Sequence, residues 1–155
     1  MPAKNKMVQF KQYFKQRTEA SKPSAMWFLG AVVALGIGAW LFLRKKSQDI
    51  VVQYMSAQDA EAANIVKDAL KPESFIVGNL DVENINKPIV LVGGKFANEE
   101  VGHLVDIGVF PEVTETDAGF GIIFVSEYRG FPIYNVVGWN AAGTFRAANY
   151  IKETK

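Results

Sequence analysis

The sequence has no cysteine and one histidine, His103. The first absence excludes disulfides and thiol chemistry but says little about compartment. Together the two remove the usual ligand sets of a tight transition-metal site. Glu99 and Asp106 lie about one turn either side of His103, yet a lone histidine on an amphipathic helix reads as a solvated or packing residue. No metal is expected. Neither a G-x-G-x-x-G fingerprint nor a Walker loop is present. Ser74 and Ser126 have no base at a readable spacing, so no catalytic residue is assigned and the expectation is a non-enzyme without cofactor. No Asn-x-Ser/Thr glycosylation acceptor occurs either.

What the sequence does have is a long apolar run. Residues 25–43, AMWFLGAVVALGIGAWLFL, carry no charge and no strongly polar side chain. As a helix they would cover roughly 28 Å, about the thickness of a bilayer's hydrocarbon core. Trp27 and Trp40 stand near the ends, where indoles favour the interface, and Arg44-Lys45-Lys46 closes the run. A buried helix of a soluble domain would lack those flanks. A cleaved signal peptide would begin earlier and end in a small-x-small site. The run therefore reads as an uncleaved signal anchor, a single transmembrane helix. Within it Gly30, Ala34 and Gly38 form a small-xxx-small ridge suited to helix–helix packing in lipid.

Charge is divided across this run. Up to Lys46 there are nine basic residues and one acidic; beyond it there are eight basic and fifteen acidic. The near-neutral total hides a basic arm (1–24), a basic linker (44–48) and an acidic domain (49–155). Six basic residues precede the run and three follow it. That favours a cytoplasmic N-terminus, or one inside a virion, with the C-terminal domain outside. In the arm, Met7, Phe10 and Phe14 recur at helical spacing among lysines, as in a helix lying on a lipid surface. The same charges suit contact with nucleic acid, or simply a positive flank that sets topology.

After the run, strand and helix patterns alternate. The expected strands are Ile50–Met55, Ser74–Val77, Pro88–Val92, Gly121–Ser126 and Phe131–Val137, the last two joined as a hairpin through Tyr128-Arg129-Gly130. Helices are expected over Ala60–Leu70, with Ser56 as N-cap, over about 98–105, and after Asn140. The fold class is α/β, a small three-layer-type sandwich with a mostly parallel sheet and a C-terminal hairpin. About 105 residues suffice for a core without staples.

Two glycine turns open onto helix N-termini, where free N–H groups favour anions. Gly93, Gly94 and Asn98 make one; Gly138, Asn140 and Thr144, with Arg146 a turn further on, make the other. The competing reading is that Asn98 and Asn140 cap their helices and the turns are structural joints.

The stretches IVVQYMSAQDAEAANIVKDAL, INKPIVLVGGKFANEEVGHL and GIIFVSEYRGFPIYNVVGWNAAGTFRAANYI, taken in order, resemble the S-layer-like domain of archaeal envelope proteins over residues 50–152. Lys95 stands where that family usually has Pro, and Gly143 where it usually has Asp before Thr144. The resemblance implies an envelope or virion setting and no catalytic residues. The leading expectation is an anchored structural protein whose partners are the bilayer and copies of itself or other envelope proteins. The exposed hairpin from Tyr128 to Pro132 is the expected contact region. The alternative is a membrane-tethered binding module or accessory subunit holding a small anion at the glycine turns.

Overall fold

The computed structural model describes residues 10–15 and 49–154. The apolar run 25–43, with Gly30, Ala34 and Gly38, lies outside the described residues. Among those described, no helix is long and apolar enough to cross a membrane.

Of the arm, only Phe10–Lys15 is described. There the helical spacing is overridden, and the residues form a strand, β1. It lies antiparallel along β5 (Phe120–Tyr128), with Phe10 opposite Val125 and Lys15 opposite Phe120. The physical reason is that β5 otherwise ends the sheet with a row of unpaired N–H and C=O groups, which an extended segment satisfies.

The remaining strands are β2 (Val51–Tyr54), β3 (Ser74–Val77), β4 (Ile89–Val92) and β6 (Phe131–Gly138). The sheet order is β1-β5-β6-β4-β2-β3. β3, β2, β4 and β6 run parallel, and β5 is antiparallel to β6. The expected α/β class with a mostly parallel sheet is what forms. The hairpin turn is tighter than expected. Tyr128 pairs with Phe131, so Arg129 and Gly130 alone make the turn, both at positive φ (51° and 83°), as a type I′ turn demands.

Helix α1 (Ala60–Leu70) buries Ala62, Ala63, Val66 and Leu70, one stripe at helical spacing. It stops where Lys71 turns left-handed and Pro72 follows. Ser56 does not cap α1 as expected. It caps a short 3-10 turn, Ala57–Asp59, and α1 begins one residue later behind Asp59. Helix α2 is Glu99–Asp106, and α3 is Ala141–Glu153.

Side chains alternate along each strand, so neighbouring residues enter opposite cores. Ile50, Val52, Val90, Val92, Tyr134 and Val136 pack with α1 and α3 on one face. Val51, Ile89, Leu91, Ile133 and Val137 pack with Val101 and Leu104 of α2 on the other. Strands buried on both sides read as continuous apolar runs, and for that reason they were legible in sequence.

Candidate functional site

β3 and β4 lie on opposite sides of β2, so the chain reverses its direction of winding there. In open parallel sheets a crevice forms outside the carboxyl ends of the strands at such a point. Here a cavity of about 250 Å³ occupies that end of the sheet. It is framed by Asp59 after β2, by Gly94–Ala97 after β4, and by Gly138–Ala141 after β6. The two glycine turns, far apart in sequence, thus border one cavity. Gly94, Gly138, Asn140 and Thr144 line it; Gly93, Asn98 and Arg146 are not among its lining residues.

Both turns are built as joints. Asn98 is 1 % exposed and fully engaged. Its amide donates to Gln53 Oε1 at 2.7 Å and to the Val92 carbonyl at 3.1 Å, while Oδ1 accepts from the Glu100 N–H at 3.2 Å. Gln53 in turn donates to the Gly78 carbonyl. Asn135 donates to the carbonyls of Leu91 (3.2 Å) and Gly93 (2.9 Å). Three buried amides therefore tie together the ends of β2, β3, β4 and β6, and they satisfy backbone carbonyls that burial would otherwise strand.

At the other turn Asn140 is the expected cap, its Oδ1 accepting from the Gly143 N–H at 3.0 Å. The glycines there answer to close packing. A Cβ at Gly138 would stand 2.4 Å from the Gly143 Cα, and one at Gly143 would stand 2.7 Å from the Phe120 carbonyl oxygen. The first turn of α3 presses directly on β5 and β6. A side chain of any size at position 143 would drive α3 off the sheet.

Asp59 is a residue that sequence spacing did not single out. It occupies the N-cap position of α1 without capping it and is 3 % exposed. Its carboxyl turns inward, with Oδ2 only 2.7 Å from where a Cβ on Gly93 would sit. Gly93, at φ 114°, leaves that space open. Burial pushes the Asp59 pKa up, opposed by a hydrogen bond from the Thr144 hydroxyl. Among the described residues no Lys or Arg pairs with it. Lys95, also on the cavity wall, is committed to Glu112 at 2.8 Å. Phe96 (91 % exposed) and Trp139 (46 %) stand at the rim.

At the opposite end of the sheet lies a second cluster that sequence spacing did not reveal. Glu83 Oε1 accepts from the Tyr128 hydroxyl at 2.6 Å and meets His103 Nε2 at 3.0 Å, while Oε2 pairs with the Arg129 guanidinium. The Tyr128 hydrogen bond, then that of His103, then Arg129, hold the Glu83 pKa down at about 2. Tyr128 and Arg129 of the hairpin, the contact region expected from sequence, also make these contacts within the fold, and the Arg129 side chain stays half exposed. His103 makes a hydrogen bond to Glu83, and among the described residues no group of three or more His, Cys, Asp or Glu could hold a metal.

Fold and cavity together define an α/β domain with a mostly parallel sheet and a buried acid, Asp59, in the cavity at the carboxyl ends of its parallel strands. The chain matches no protein-family model, and no curated protein is significantly similar to it.

Proposed function

We propose that the chain is a non-enzymatic binding module, anchored by residues 25–43, whose domain offers the carboxyl-end cavity to a small molecule. The observation that carries this reading is Asp59, a carboxyl buried in the cavity wall at the winding reversal and released from the capping role its position would give it. The glycine turns frame the cavity. A panel of small ammonium, carboxylate and neutral compounds tests the reading, through the melting temperature of the full-length protein in detergent. At Gly94 an added Cβ would meet only ordinary contacts, 3.6 Å from Val137 Cγ2, so a side chain can start there, and Gly94→Leu should intrude on the cavity. At least one compound should raise the melting temperature of the wild type and not that of Gly94→Leu. If none does, the module reading fails.

A second reading, a display domain that assembles with copies of itself or with envelope partners, has one observation in its favour: the edge of β5 accepts an added antiparallel strand. Within one chain, that pairing competes with a membrane crossing. If residues 25–43 span a bilayer, Phe10–Lys15 and the domain stand on opposite sides. The β5 edge is then free for a strand from another molecule. Because the chain lacks cysteine, single Asn5→Cys and Glu153→Cys variants can be labelled with an impermeant maleimide. Labelling of Glu153→Cys alone on intact cells supports the anchor, with the arm inside and the domain outside. Equal labelling of both refutes the crossing and leaves β1 on β5.

A further inference from the structure

Resting on that reading of the cavity, we infer that its ligand is a small organic cation. It would be an ammonium or methylated ammonium on a short apolar body, held against the Asp59 carboxylate beside Phe96 and Trp139. The argument begins with charge. A carboxylate taken out of water needs a counter-charge or a proton. The fold supplies Asp59 with a hydroxyl from Thr144 and no cation among the described residues. The Lys among the described residues of the wall, Lys95, already has Glu112. A bound cation completes the site; a bound anion would face an uncompensated carboxylate.

The backbone points the same way. An anion would need free N–H groups at the glycine turns, and several are spent internally. The N–H groups of Ala97 and Asn98 donate to the Gly94 carbonyl at 3.0 and 2.9 Å. Those of Glu100 and Gly143 are taken by the Asn98 and Asn140 side chains. An anion at the glycine turns, the alternative raised from sequence, therefore has poor provision here.

Shape and lining complete the case. Val101, Val105, Pro111, Val113 and Val137 make the wall apolar, which suits an alkyl body. The volume, about 250 Å³, admits a few carbons around a nitrogen. Aromatic faces attract cations, modestly where they are exposed as these rim rings are. The Phe96 ring already holds one, Lys95 Nζ at 5.2 Å from its centroid.

Choline, its neutral isostere 3,3-dimethylbutan-1-ol, and 3,3-dimethylbutanoate share a shape and differ in charge. Each would be titrated calorimetrically into the full-length protein in detergent. Choline should bind most tightly, by on the order of tenfold over the neutral isostere, since a charge-assisted contact is the stronger kind. Asp59→Asn should erase that preference. Phe96→Ala should weaken choline roughly fivefold, the worth of one cation–π contact. That side chain is almost wholly in solvent, so this variant reports even if Asp59→Asn were to misfold. If the alcohol or the carboxylate binds as tightly as choline, or if Asp59→Asn keeps the preference, the cation inference is overturned and the binding module stands. If no probe binds, the cation inference falls, and the module reading is decided by the wider panel.

Discussion

Two carboxylates at opposite ends of the same sheet meet opposite fates. Glu83, at the amino ends of β4 and β6, is nearly half exposed and has three donors, so its pKa falls to about 2. Asp59, at the carboxyl ends, is buried with one hydroxyl partner among the described residues, and its pKa rises. Solvation and donor count decide the sign in each case. The difference separates two uses of charge. At the amino end the fold supplies everything the carboxylate needs, and the result is a latch holding the Val82–Asn84 turn to α2 and the hairpin. At the carboxyl end the provision is incomplete, as at a site waiting for a partner from outside.

Breaking the frame of the carboxyl end should cost most. Gly138→Ala places a methyl 2.4 Å from the Gly143 Cα, where both neighbours are backbone and unable to step aside. We expect a loss of about 3 kcal/mol or more, beyond ordinary overpacking, read as a fall in the denaturation midpoint. A near-wild-type midpoint would show that α3 can slide on the sheet, and the cavity would then lack a rigid wall.

Asp59→Asn should move stability the other way, by a gain of about 1 to 2 kcal/mol at neutral pH, because it removes a desolvated charge. The pH dependence has a definite sign. A pKa raised above the unfolded value of 3.8 favours the folded state most below that value. The contribution is lost as pH rises through the folded pKa. Asp59→Asn should flatten that decline, which urea melts across the acid range would reveal. A destabilised variant would mean that the carboxylate is a structural partner of Thr144 and would remove the contrast with Glu83. Next in size is Asn140→Ala, with a loss of about 1 kcal/mol for a cap that accepts one N–H. Loss of ligand response without loss of melting temperature would instead make Asn140 part of the site.

The order of legibility follows from the same physics. β3, α1 and the hairpin strands could be placed from sequence because twofold and helical periodicities, Lys71-Pro72 and the glycine turn are local signals. Asn140 was legible as a cap for the same reason. Asp59 was not, because Ser56 carried the local cap signal and nothing local shows where the Asp59 side chain goes; only its packing against Gly93 and Thr144 does. The Glu83 cluster was invisible, since His103, Tyr128 and Arg129 come from elements twenty or more positions away. The arm strand failed for a different reason. Phe10 and Phe14 satisfy the helical spacing, but an open β5 edge outweighs a short segment's helical preference.

The smallest effect should come from Glu83→Gln, and it sharpens the comparison most because its sign is opposite to that of Asp59. A carboxyl held at about 2 when folded, against 4.5 for the free group, adds stability that is complete above 4.5 and lost as pH falls toward 2. Glu83 is solvent-facing, so much of this is screened, and at neutral pH the variant should melt close to wild type. The difference should open in the acid limb, where wild type steepens and Glu83→Gln does not. High salt should shrink it, since Arg129 is exposed as well. An acid limb identical in both proteins would mean that the Tyr128 and His103 contacts do not hold the carboxylate in solution. The hairpin would then be free to serve as the contact surface its composition suggests.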